Sequence, residues 1–123
     1  MRLSQLYIGL GLAFLITGMS LGIWMAATDN FQYAPAHAHW NLLGFVTSTL
    51  YGIVHRTHPS LARTRLAWPQ FGLHIVGALL AGPGIILAIN TKQSLPAMIG
   101  AGLVLLAALT FLLMFLTTKA EEL

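Results

Sequence analysis

Cysteine is absent from the 123-residue chain. Disulfide bonds, thiolate metal sites and iron–sulfur clusters are therefore excluded, because each of them is built on cysteine sulfur. The chain does contain five histidines, and imidazole is a common metal ligand. Any metal bound by this protein is therefore expected to rest on histidine.

Charged residues are scarce as well. Lys, Arg, Asp and Glu make up 7% of the chain, against about 25% in soluble domains, and 57% of the residues are hydrophobic. This composition predicts an integral membrane protein that contacts the lipid bilayer. Most of the six basic residues lie between apolar segments. We therefore interpret the net charge of +3 as a determinant of membrane topology and lipid contact, and expect no nucleic-acid partner.

Acidic residues are the rarest charged type. Asp29, which lies in a predicted loop, is the only one before Glu121. No carboxylate therefore lies within an apolar segment, although carboxylates are the usual groups of proton relays in membranes. The sequence disfavours an oxidase or a proton pump, and whether the protein is an enzyme stays open.

Four apolar segments are each long enough to cross a bilayer as an α-helix, which takes about 20 residues at 1.5 Å per residue. The predicted spans are residues 6–27, 36–55, 70–89 and 95–118. Their connections are too short to hold another domain. The sequence therefore predicts one all-α domain over residues 1–123, a four-transmembrane-helix bundle. A kink or local unwinding is expected in the third span at Gly82-Pro83-Gly84.

The basic residues predict an orientation. Arg56, Arg63 and Arg65 follow the second span and make up half of the chain's basic residues, so the positive-inside rule places this loop in the cytoplasm. With four spans, the N- and C-termini are then cytoplasmic too, and the expected location is the bacterial inner membrane. This orientation puts His37 and His39 at the outer side.

One face of the second span is polar. Polar or small residues recur there at steps of three or four, which is the spacing of a single helix face: His37, Asn41, Gly44, Ser48, Tyr51 and His55. Polar groups are costly in hydrocarbon and turn inward. The face is therefore expected to look into protein or into a cavity.

The five histidines do not form one cluster. His37 and His39 are separated by about 200° of helix rotation, so the two rings point to nearly opposite sides and cannot easily bind one metal together. Their spacing alone leaves open metal ligation or hydrogen bonding to water and backbone. His55 and His58 are interpreted as hydrogen-bonding groups for helix-end carbonyls or lipid headgroups, and His74 as one side of an interhelical hydrogen bond.

The run APAHAHWNLLGF at positions 34–45, followed by Tyr51-Gly52, resembles the second helix of the four-helix units in subunit I of haem–copper oxidases and nitric oxide reductases. It resembles still more closely the short, four-span proteins of the subunit I-like family. In the large subunits, three arcs of four helices are related by pseudo-threefold symmetry. The resemblance implies that this chain folds as one such four-helix arc.

The resemblance also implies a cofactor. In the family, the second helix of an arc carries haem or copper ligands, and one such helix has a His-x-His motif whose histidines serve two different haems. His37 matches the low-spin haem histidine after the proline, and the segment from His37 to His39 matches His-x-His. The implied site binds haem b through these two residues, with Asn41 and Gly44 beside them. The further histidines and the tyrosine of the oxidase copper site have no match here, so oxygen reduction is not implied.

Combining the resemblance with the divergence of the two rings predicts an assembly. Three arcs would close a ring in which each pore receives His37 from one copy and His39 from the next. Two axial imidazoles complete a six-coordinate haem, which favours electron transfer, haem storage or haem sensing. We therefore expect a homotrimeric, bis-histidine haem protein. The sequence indicates no substrate, electron donor or redox partner.

Two alternatives from other classes stay open. The same histidines could bind copper or zinc, provided that a threefold axis supplies the additional ligands. Alternatively, the protein is a cofactor-free structural or accessory membrane subunit, and its histidines are polar contacts between helices.

Overall fold

The computed structural model describes residues 2–119, 121 and 123. This part of the chain contains α1 (Leu3–Thr28), α2 (Ala34–His39), a π-helix (Trp40–Thr47), α3 (Ser48–Thr57), α4 (Pro59–Ala62), α5 (Ala67–Thr91) and α6 (Leu95–Thr117). No strand occurs within it, so the predicted all-α class is confirmed. The predicted domain also included Met1, Ala120 and Glu122, which lie outside the described residues.

Three of these helices are long and apolar enough to cross a membrane: α1 with 26 residues, α5 with 25 and α6 with 23. Large apolar side chains such as Ile16, Ile23, Leu105 and Leu116 are exposed along them, which suits contact with lipid. The chain is thus an integral membrane protein by the length and composition of its helices. The predicted spans 6–27, 70–89 and 95–118 agree with these three helices to within three residues at each end.

The predicted second span is helical, but it is not one α-helix. Residues 34–57 form α2, the π-helix and α3 in direct succession, and we call this segment the composite helix. In the π-helix, the Thr47 hydroxyl donates to the Leu42 carbonyl, five residues earlier, over 2.9 Å. A π-helix is a rare structure that often marks a functional site. None of the three parts is long enough to cross a bilayer alone.

Helices that follow one another along the chain are neighbours in space. The composite helix packs along α1 on one side and along α5 on another, and α5 packs along most of α6. Glycines allow the closest approaches: a Cβ added at Gly44 would lie 2.5 Å from Phe14 Cγ of α1, and one at Gly77 would lie 2.9 Å from the Gly100 carbonyl of α6. Small residues at such contacts are typical of helices that pack in membranes.

The local unwinding predicted at Gly82-Pro83-Gly84 does not occur, since α5 stays helical from Ala67 to Thr91, whereas the alternative of a kink stays a prediction. Gly82 lies against the Trp40 ring and Gly84 against the backbone of Ala97, and these close contacts hold the helix where proline removes a hydrogen bond. The predicted loop after the second span also contains α4, which begins with Pro59 in the first turn, a favoured position for proline.

The polar face predicted for the second span does turn inward. Gly44, Ser48 and His55 are buried, and the other members of that face are half-buried, whereas Leu42 and Leu50 on the opposite side are exposed. The largest buried side chains lie toward the end of the molecule where α1 begins and α6 ends. We call this the basic end, because Arg2, Arg56, Arg63 and Arg65 lie there. The opposite end, with His37 and His39, is called the histidine end.

Candidate functional site

His37 lies against α1. Its Nδ1 atom is 2.7 Å from the carbonyl oxygen of Gly18, and a carbonyl can only accept a hydrogen bond. In the neutral ring, Nδ1 therefore carries the proton and Nε2 keeps its lone pair. Gly22, one turn further along α1, makes room for the ring, because a Cβ there would lie 2.8 Å from His37 Cε1. The imidazole therefore packs on the helix surface formed by Gly18 and Gly22, whose spacing is typical of close helix packing.

Asn41 contacts both His37 and Gly18. Its side-chain amide donates to the backbone carbonyl of His37 over 2.9 Å, and its carboxamide packs on Gly18, where a Cβ would lie 2.8 Å from Oδ1. The amide nitrogen is 3.5 Å from His37 Nε2. Asn41 is thus a neighbour of the ring that can restrict its orientation.

His39 is exposed, and it lies on the side of the composite helix toward α5 and α6. Its Nδ1 is 2.7 Å from the carbonyl oxygen of Pro35, so the same reasoning assigns the proton to Nδ1 and the lone pair to Nε2. The side chain lines an open apolar groove of about 340 Å³ between the composite helix, α5 and α6. Leu43, Ile85 and Met98 are among the residues that form its walls.

The two rings share one feature that metal-binding histidines usually have. A histidine that binds a metal nearly always donates its other ring N–H to a carbonyl or carboxylate, which fixes the tautomer and the direction of the ligating nitrogen. His37 and His39 both donate through Nδ1 to backbone carbonyls. Each could therefore present Nε2 to a metal without a change of tautomer.

The structure does not bring the two rings to one site. His37 packs on α1, whereas His39 lies in the groove beside α5 and α6, as their spacing predicts. Within the described residues, no three His, Asp or Glu side chains are close enough together to hold a metal ion.

Gly44 was predicted to lie beside the cofactor, but in the structure it faces α1. It is buried against Phe14 of α1, and it does not line the groove beside His39. Its contact explains the residue, because any side chain at this position would collide with the Phe14 ring.

The remaining histidines have different environments. His74 is buried and its Nε2 shares a hydrogen bond of 3.0 Å with the Ser48 hydroxyl, so the predicted interhelical bond is confirmed. Its Nδ1 has no partner of hydrogen-bond geometry among the described residues, although the Leu43 carbonyl lies nearby. His58 Nδ1 lies 2.8 Å from the Thr57 hydroxyl.

Of the two partners predicted for His55, a helix-end carbonyl is not found within the described residues, and a lipid headgroup stays a prediction. The His55 side chain is 3% exposed, and neither of its ring nitrogens has a hydrogen-bond partner among the described residues. The predicted bond to a helix-end carbonyl is therefore absent from this part of the chain. Its ring stacks on Tyr7, with centroids 5.7 Å apart, and meets Phe111 edge-on at 5.6 Å. Aromatic packing on two sides fixes the ring.

The polar contact at the centre of the basic end was not predicted from the sequence. The Tyr7 hydroxyl of α1 donates to Gln70 Oε1 of α5 over 2.5 Å, and both side chains are fully buried. The sequence does contain a signal for this contact. Tyr7 and Gln70 are each a polar residue near the end of a long apolar segment, where a polar side chain requires a partner from another helix.

Comparison with protein-family models, with curated proteins and with solved structures finds no match for this chain. The similarity to subunit I of haem–copper oxidases therefore rests on the motif around His37 and stays a prediction.

Proposed function

We propose that this protein is a haem b protein of the membrane, in which the composite helix is a fourth transmembrane span and each haem is shared by two copies of the chain. One observation carries the proposal: His37 and His39 each place Nδ1 2.7 Å from a backbone carbonyl, which leaves Nε2 for a metal. Haem iron with two axial imidazoles supplies one-electron redox chemistry and no open position for a substrate. The function is electron transfer, haem storage or haem sensing.

The dimensions of the composite helix support a fourth span. Its parts have 6, 8 and 10 residues. The 16 α-helical residues rise about 24 Å at 1.5 Å per residue, and the eight residues of the wider π-helix add to this, against a hydrocarbon core of about 30 Å. Leu42, Val46, Leu50 and Ile53 form an exposed apolar side that suits lipid. With α1, α5 and α6 this gives a four-helix bundle.

Four spans place both termini on one side of the membrane. The basic residues of the segment between the composite helix and α5 assign that side to the cytoplasm: Arg56, Arg63 and Arg65. His37 and His39 are then at the outer side, and the location proposed is the bacterial inner membrane.

The separation of the two rings supports a site shared between copies. One chain presents His37 beside α1 and His39 in the groove beside α6, so neither ring has the other as the second axial ligand. A closed ring of three copies would supply one histidine of each kind to every haem through a single repeated interface. The homotrimer is the assembly that this geometry and the oxidase-like motif together favour.

The groove beside His39 offers an apolar wall to part of a porphyrin. Its volume of about 340 Å³ is at the lower end of the range of about 300–1,000 Å³ that is usual for ligand sites, so a neighbouring copy would have to cover the rest of the ring. Most of its walls are apolar, with Ser94 at one side. In this arrangement His39 is the ligand from the groove, and His37 of a neighbouring copy is the ligand from outside it. The Asn41 amide, 3.5 Å from Nε2 of His37, would turn aside.

An absorption spectrum tests the proposal. Protein purified from haem-replete cells should show the reduced α-band of a bis-imidazole b-type haem, and His37→Ala or His39→Ala should each abolish it. His58→Ala is the matched control, because it removes an imidazole from the basic end and should leave the band unchanged. Absence of haem in the parent protein would end the proposal. Metal analysis would then separate a copper or zinc protein from a cofactor-free structural subunit.

A further inference from the structure

A second cavity lies at the basic end, remote from His37 and His39. It has a volume of about 500 Å³ and is lined by Arg2, Ser4, His55, Arg56, Arg63 and Trp68, together with apolar groups. These residues come from the start of α1, the end of α3, the segment around α4 and the start of α5. The cavity is therefore built by four separate parts of the fold.

The described residues that line this cavity carry positive charge only. They include three of the chain's six basic residues and no acidic one. Within the described part of the chain, Arg2, Arg56 and Arg63 form no ion pair with a carboxylate. Guanidinium groups stay protonated and offer several N–H donors in a planar fork that matches phosphate oxygens. The cavity thus has the chemistry of a phosphate site.

A buried polar side chain points to a ligand independently. His55 forms part of the cavity wall, is 97% buried, and has no partner for either ring nitrogen among the described residues. Buried polar groups are nearly always hydrogen-bonded, so each exception calls for a physical explanation. Both ring nitrogens are covered by neighbouring atoms, so a phosphate oxygen in the cavity would reach one of them only after the lining side chains shift, while Tyr7 and Phe111 hold the ring in place.

The position of the cavity favours a lipid as the source of the phosphate. It lies at the ends of helices that are long enough to cross a membrane, which is the level of lipid headgroups. Trp68 on its wall is 55% exposed, and tryptophan is typical of the membrane interface. Leu3, Pro59 and Ala62 add apolar surface beside the arginines, which suits the glycerol and the first carbons of an acyl chain.

We propose that the cavity lined by Arg2, His55, Arg56 and Arg63 binds the phosphate of an anionic phospholipid from the leaflet at the basic end. Basic pockets between transmembrane helices bind such headgroups because the fixed positive charges add to the attraction of the anionic leaflet. This inference rests on the membrane location of the chain and is independent of haem binding.

Native mass spectrometry in mild detergent tests this site. Phosphatidylglycerol should bind at one molecule per chain, about tenfold more tightly than phosphatidylcholine. Arg56→Gln and Arg63→Gln should each weaken the phosphatidylglycerol adduct by about tenfold, since each removes a charge-assisted hydrogen bond. Arg65→Gln is the matched control, because it removes the same charge from the same segment but from a residue that does not line the cavity.

Four results would overturn the proposal. The first is equal weakening by Arg65→Gln, which would show a diffuse attraction without a site. The second is equal binding of phosphatidylcholine. The third is full binding in Arg56→Gln and Arg63→Gln. The fourth is displacement of the lipid by millimolar inorganic phosphate, which would assign the cavity to a soluble anion. His55→Phe keeps the ring packing, so reduced lipid binding in a stably folded variant would further support the role of the imidazole.

Discussion

Nδ1 of His37 lies 2.7 Å from the carbonyl oxygen of Gly18, so the backbone of α1 sets the tautomer and direction of the imidazole near the start of the composite helix. The carbonyl can reach the ring because Gly18 and Gly22 carry no side chains. This dependence of a ligand candidate on two glycines of another helix can be tested without changing either histidine.

Gly22→Ala should disturb the histidine site. The new Cβ would lie 2.8 Å from His37 Cε1, so the ring must move and Nε2 must change direction. We expect the haem content per chain, measured by absorption, to fall severalfold. Gly9→Ala is the control on the same helix, since a Cβ there meets nothing within 4 Å. Equal haem content in the two variants would contradict the role of Gly22.

Tyr7→Phe should destabilise the fold at the basic end. It leaves the buried Gln70 Oε1 without its donor, which costs about 1–3 kcal/mol of unfolding free energy. A thermal scan in detergent should show a lower Tm than for the parent. Tyr33→Phe is the control, because its hydroxyl bonds Asn90 at an exposed site where water can replace it. The double variant Tyr7→Phe/Gln70→Leu should recover part of the loss, and a Tm unchanged by Tyr7→Phe would refute the prediction.

Reporter fusions should decide the orientation of the spans. A reporter that is active only outside the cytoplasm should be active when it is fused after Asn30 and inactive when it is fused after Arg65. The physical reason is the positive charge of the segment that follows the composite helix. Activity only after Arg65 would show that the topology is the reverse of the predicted one. Activity at both positions would mean that residues 34–57 do not cross the membrane.

Native mass spectrometry with haem counted per assembly should detect a homotrimer. His37 and His39 face different neighbours within one chain, so a shared haem requires contacts that continue from copy to copy until the ring closes. A monomer that retains bis-histidine haem would defeat this arrangement. A tetramer would preserve the shared sites and discard the threefold symmetry.

Much of the fold could be predicted from the sequence because it depends on local patterns. Apolar length determines α1, α5 and α6, and spacing by three or four predicts the inward face that contains Ser48 and His55. The cost of a polar group in hydrocarbon also predicts that His74 has an interhelical partner, which is Ser48. These features need no knowledge of which helix lies beside which.

Other features depend on the register between helices that are distant in the chain. No pattern within residues 34–57 specifies that Trp40–Thr47 is a π-helix, because the widened turn is accommodated by packing against α1 and α5. The contact between His37 and Gly18, and the bond between Tyr7 and Gln70, likewise depend on how neighbouring helices slide and rotate.

The histidines illustrate the division between sequence and structure most clearly. Helix rotation alone determined that His37 and His39 diverge. Only the tertiary structure decided that His37 meets the backbone of α1, that His39 lines an apolar groove, and that His55 is buried without a partner among the described residues. The physical reason is that helix rotation is a property of one segment, whereas burial and hydrogen bonding depend on what the other segments bring to it.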